Sequence, residues 1–126
     1  MKEIISTTDA PKAVGPYSQA VKAGEFLFIS GQLGIDPETG KLVDGGVSAQ
    51  TERALKNIQA ILKAIGADMS AIVKTTVFLS SIDDFSEMNG VYSRFFDDSP
   101  PARAAFQVAN LPLGGLVEIE AIAYIE

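Results

Sequence analysis

One stretch constrains the fold of this chain more than any other. Val47, Thr51, Ala54, Leu55, Ile58, Ile61, Leu62 and Ile65 recur at steps of three and four residues. That spacing lines one face of an α-helix. A helix with a single apolar face must bury it against a second layer. Its polar side carries Glu52 and Lys56 four residues apart in the favourable order. Gly66 suits the C-terminal cap.

The second layer is supplied by β-branched and aromatic runs on either side of the helix. Ser18 to Lys22 alternates weakly and ends at Ala23-Gly24-Glu25, and Phe26 to Ser30 (FLFIS) is a compact apolar run. Together they predict a hairpin whose second strand is buried on both faces. Asp36 to Gly40 (DPETG) is a turn by composition. Val73 to Leu79 (VKTTVFL) predicts a strand. A second helix is expected to start near Ser81–Asp84, a Ser-x-x-Asp capping signal, with Phe85, Met88, Tyr92 and Phe95 as its buried stripe. Ser99-Pro100-Pro101 ends it. Ala102 to Val108 and Val117 to Ile125 read as strands joined by a turn around Pro112 to Gly115.

This order predicts an α+β domain with two helices packed on one face of a mixed sheet. At 126 residues and 47% hydrophobic, the chain reads as a single domain over 1–126 that can bury a core without a disulfide or metal staple. The sheet face away from the helices also draws on apolar positions, which makes a homo-oligomer plausible.

Two absences limit the chemistry. There is no Cys and no His. Thiol nucleophiles, Ser-His-Asp triads and the common zinc sites are therefore excluded. No Gly-rich phosphate loop is found, because GQLGIDPETG lacks a Walker lysine, so no nucleotide cofactor is assigned; Asp83 and Asp84 read as a helix start rather than as metal ligands, and no metal is assigned. The net charge of −6, with Lys and Arg scattered singly, argues against a nucleic-acid partner. The opening residues lack an apolar signal-like segment and no stretch approaches a membrane span, so the expected location is cytoplasmic.

Arg103 stands out. It is the one charge in SPPARAAFQV, Ser99 to Val108. An arginine in an apolar strand needs a partner. It could be exposed, or paired with Glu118 or Glu120 on a neighbouring strand, or it could be a fork gripping a carboxylate or phosphate. Alternation in VEIEAIAYI puts Glu118, Glu120, Ile122 and Tyr124 on one face. Those two acids are either a solvated stripe or a pair in which one activates water. Tyr17, after Gly15-Pro16, is a packing anchor or a hydroxyl at a cleft. Ser30-Gly31 is a strand terminus or a place where backbone meets a ligand. Asn89 lies beside the apolar stripe of the second helix.

Taken in order, GPYSQAV, FISGQL, IVKTTVFL, MNGVYSRFF, PPARAAFQV and VEIEAIA strongly resemble the Rid (YjgF-like) family of reactive-intermediate deaminases over nearly the whole chain. The resemblance implies a chorismate-mutase-like α+β fold, a homotrimer and ligand sites in clefts between subunits. It implies hydrolysis of 2-imino acids, such as 2-iminobutanoate and 2-iminopropanoate, to 2-oxo acids and ammonia. Carried over residue by residue, it makes Arg103 the carboxylate binder and Glu118 the contact of the catalytic water. Tyr17 joins them as a catalytic residue, and Ser30, Gly31 and Asn89 are expected to bind substrate. Many members have Cys two residues after the arginine, where this chain has Ala105. A thiol is therefore not essential here, and Ala105 bears on pocket shape and substrate range. Two other functions fit the residues less well: a non-catalytic module binding 2-oxo acids or amino acids, and a ribonuclease or translation inhibitor.

Overall fold

The computed structural model describes all 126 residues. Six strands form one sheet: β1 (Lys2–Ile5), β2 (Ala20–Ala23), β3 (Phe26–Leu33), β4 (Ile72–Leu79), β5 (Ala102–Gln107) and β6 (Val117–Tyr124). The helices are α1 (Gly46–Lys63) and α2 (Phe85–Tyr92). The strand order is β1-β2-β3-β6-β4-β5. Every pairing is antiparallel except β4 with β5, which is parallel. This is the mixed sheet with two helices that the sequence predicts.

The helical stripe does what its spacing requires. Ala54, Leu55, Ile58, Ile61 and Leu62 are fully buried and pack with Leu27, Val77, Leu79, Val117 and Ile119 of the sheet in one core. Burying the leucines, isoleucines and valines of this set stabilises the fold by about 1.5–3 kcal/mol each. Two polar residues of α1 fix its height over the sheet. The buried Asn57 donates to the carbonyls of Leu33 and Ile35 at 3.2 and 2.9 Å, and Gln50 Oε1 accepts from Leu116 N–H at 2.9 Å. Glu52 and Lys56 form the expected ion pair at 3.1 Å. Gly66, at φ 74°, follows the end of α1.

Four features differ from the expectation. First, β1 is a strand that the mixed segment KEII did not reveal. Second, the FLFIS part of β3 is covered on one face only. Leu27 and Ile29 are buried, whereas Phe26 and Phe28 are 43% and 47% exposed. Third, β5 and β6 are consecutive but not neighbours, because β4 lies between them. Fourth, the second helical segment is broken. Ser81 Oγ accepts from Asp83 N–H at the head of a 3₁₀ turn (Ile82–Asp84), α2 follows, and a second 3₁₀ turn spans Ser93–Phe95. Met88, Val91 and Tyr92 are buried, while Phe85 and Phe95 are half-buried.

The open face of the sheet carries Ile4, Phe26, Phe28, Phe106 and Tyr124, all at least 40% exposed. Phe26 meets Tyr124 edge-on at 5.5 Å, and Phe78 meets Phe106 at 5.4 Å. No helix of the protein is long and apolar enough to cross a membrane.

Candidate active site

The structure gathers the predicted site residues into two groups. The first is built by α2 and β5. Arg103 Nη1 donates to Asn89 Oδ1 at 2.6 Å. Its guanidinium lies 4.8 Å from the centroid of the Tyr92 ring and 5.5 Å from that of Phe85, both within cation–π range. Arg103 makes no ion pair; the only two in the molecule join Glu52 to Lys56 and Arg94. The expected alternative, a pair with Glu118 or Glu120, is ruled out by β4 between them. Ala105 is two residues further along β5, on the Arg103 face and in register with Val77. Its methyl leaves the Arg103 flank less filled than a longer side chain would.

The second group is built by the start of the hairpin, β3 and β6. A bulge interrupts the β3–β6 ladder: Ile29 pairs with Ala121 and Gln32 with Ile119, so Ser30 and Gly31 together face one residue, Glu120. A Cβ on Gly31 would lie 2.7 Å from Glu118 Oε2 and 2.9 Å from Cδ. The Glu118 carboxyl therefore occupies the place that glycine leaves open. Burial raises the Glu118 pKa above the usual carboxylate range, and the neighbouring Glu120 raises it further. A carboxyl tuned upward in this way can take a proton from water closer to neutral pH.

Ser30 faces backwards. Its Oγ donates to the carbonyl of Ser18 at 2.6 Å, and its N–H donates to the carbonyl of Gln19 at 3.0 Å. These bonds tie the Tyr17 segment to the bulge. Tyr17 itself is 53% exposed. Sequence reasoning missed the clasp behind it. The buried Gln19 accepts from Thr7 N–H at 2.7 Å and donates to the carbonyls of Thr7, Ala10 and Pro11. A lone glutamine in GPYSQAV gives no pattern by which to find this. The aromatic neighbours of Arg103 stand at core spacing along the second helix, so the sequence alone marks them as core.

The two groups do not meet within one chain. Arg103 pairs in register with Thr75, and Glu118 with Phe78, three residues further along β4. Two strand spacings and three residues of rise place their Cα atoms about 14 Å apart. The odd offset puts them on opposite faces of the sheet. Arg103 shares the face of the buried Thr75, and Glu118 shares the open face with Phe78.

The chain belongs to the endoribonuclease L-PSP family, whose model matches residues 7–125. It is 58% identical to a 2-iminobutanoate/2-iminopropanoate deaminase of Bos taurus over 123 residues, 98% of this chain and 90% of that protein. The crystal structure of RidA from the Antarctic bacterium Psychrobacter superposes with a TM-score of 0.94 at 50% identity, covering 98% of this chain and 99% of that one. E. coli TdcF with bound serine superposes at 0.93 and 42% identity, with the same coverage.

Proposed function

We propose that this protein is a cytoplasmic 2-iminobutanoate/2-iminopropanoate deaminase, acting as one domain over residues 1–126. It hydrolyses reactive 2-imino acids to 2-oxo acids and ammonia. The observation that carries the reading is Arg103: a charged fork held in place by an amide and two rings, with no carboxylate of its own chain. A small anionic substrate supplies the missing partner through a bidentate contact. Relatives at more than half identity bear this activity in their names.

The chemistry needs little more. Glu118 holds a water and accepts its proton as the oxygen attacks C2 of the protonated imine. The C–O bond forms, the C=N pair moves to nitrogen, and a carbinolamine results. Glu118 returns the proton to nitrogen, the C–N bond breaks with release of ammonia, and the hydroxyl proton passes back to Glu118 as the C=O bond forms, leaving the 2-oxo acid. Such imines already hydrolyse in water, so an acceleration worth roughly 1–5 kcal/mol of barrier suffices. Positioning and general base assistance can supply it. Tyr17, Gly31 and Asn89 line the cleft, Ser30 braces the Tyr17 segment from behind, and Ala105 sets the room beside the carboxylate.

In a 2-imino acid the reacting carbon is bonded directly to the carboxylate carbon. Arg103 and Glu118 of one protomer lie on opposite faces and cannot both reach it. A homotrimer, with the open face buried between copies and each cleft shared by two of them, resolves this. The exposed Phe26, Phe28, Phe106 and Tyr124 support such burial. Ribonuclease activity, which the family description carries, is opposed by the net charge of −6 and by a site with a single cation.

The test is competition with semicarbazide for imine generated by an amino acid oxidase. Wild type should lower semicarbazone yield, and Arg103→Ala should lose about 100-fold in rate through lost positioning while keeping its oligomeric mass. Wild type that binds 2-oxobutanoate without competing for imine would instead mark a silent binding module.

A further inference from the structure

Arg103 has a long, flexible side chain, and a bidentate grip depends on the plane in which its guanidinium lies. Three residues of α2 face it. Phe85, Asn89 and Tyr92 stand at positions i, i+4 and i+7, one face of the helix. Asn89 engages Nη1 and fixes one corner. The two rings flank the guanidinium carbon at 5.5 and 4.8 Å.

Tyr92 is itself held at its hydroxyl and at its ring. Its hydroxyl shares a buried 2.7 Å hydrogen bond with Thr75 Oγ1, and Thr75 is the register partner of Arg103 in the next strand. Its ring lies 4.8 Å from that of Phe96. The side chain is 6% exposed. Burial raises the Tyr92 pKa, outweighing the lowering by Thr75 and by Arg103. The phenol therefore stays un-ionised and does not compete with a carboxylate for the guanidinium.

We propose that Tyr92, assisted by Phe85, is a positioning residue for this site: the two rings fix the guanidinium plane, so the donors left free by Asn89 meet the substrate carboxylate. The inference takes the identity of that carboxylate from the deaminase reading, and its test is read on binding as well as on rate.

The experiment is an NMR titration of wild-type oligomer and variants with 2-oxobutanoate, alongside imine-hydrolysis kinetics. Tyr92→Leu should weaken binding about tenfold and raise KM by a similar factor, with kcat within about twofold. Tyr92→Phe keeps the ring and should stay within about twofold of wild type in both. In the Arg103→Ala background, Tyr92→Leu should change nothing further, because its effect runs through Arg103. Wild-type affinity in Tyr92→Leu, or an undiminished effect in the Arg103→Ala background, overturns the proposal. If Tyr92→Leu does not assemble, Phe85→Leu takes its place. It should weaken binding about threefold, again only when Arg103 is present, and unchanged affinity overturns the proposal. Wild type that binds 2-oxobutanoate but hydrolyses no imine would sink the deaminase reading while the affinities still judge Tyr92. Wild type that binds no 2-oxo acid would remove both.

Discussion

Arg103 sits between two aromatic rings and an amide, whereas Glu118 sits against a glycine with a second carboxylate two residues away. The surroundings of Arg103 hold its guanidinium in place. Those of Glu118 oppose its charge, through burial first and Glu120 second. A cation meant to bind an anion must stay charged and oriented. A base meant to take a proton from water gains by being less comfortable as an anion. The cation is served by packing and the acid by desolvation. Mutations should therefore act on the two regions in opposite senses.

The largest contrast is expected from Glu118→Gln. Activity should fall about 100- to 10,000-fold, the span of general-base contributions. Stability at neutral pH should rise. A carboxyl whose folded pKa is raised contributes its full share below the ordinary glutamate value, about 4.3, and loses it as pH rises through the folded pKa. Glutamine has no such loss. Thermal melts between about pH 4 and pH 8 should thus show an advantage for the variant that vanishes at the acid end. A lower Tm at neutral pH would mean that Glu118 is stabilised as an anion.

Gly31→Ala is a finer probe. The added methyl meets the Glu118 side chain from its carboxyl back to Cγ and no backbone, so the side chain must swing away. The melting temperature should stay close to that of wild type while the rate falls about tenfold through displacement of the carboxyl. Wild-type turnover would show that the carboxyl's position against Gly31 is irrelevant. The smallest effect is expected from Glu120→Gln. Removing the neighbouring charge lets Glu118 ionise at lower pH. The acid limb of kcat/KM should then move down, by less than burial holds it up. A limb that moves upward would contradict the stated causes.

How much of this was legible depends on the range of the contacts. The apolar stripe of α1 is local and periodic, and its burial follows from the spacing alone. The alternation of β6 also held: Val117, Ile119, Ala121 and Ala123 are buried, and Glu118 faces the other way. Strand order was not legible, because nothing in Ala102–Gln107 or Val117–Tyr124 states that β4 will come between them. That crossover separates Arg103 from Glu118. The run FLFIS misled because a continuous apolar segment looks the same whether its second face meets its own helices or another molecule. The bulge at Ser30-Gly31 had a visible signal in the glycine, but its consequence for Glu118 required the long-range pairing of β3 with β6. The aromatic frame of Arg103 had a signal too, since Phe85, Asn89 and Tyr92 share a helix face.

The placement of Arg103 and Glu118 on opposite sides of one sheet has a consequence for inheritance. If each cleft takes its arginine from one copy and its glutamate from another, damage to either residue need not condemn the same cleft. Subunits lacking the arginine and subunits lacking the glutamate, made in one cell, would assemble some clefts that inherit both intact residues. Two alleles that are each inactive alone would then rescue one another without recombination.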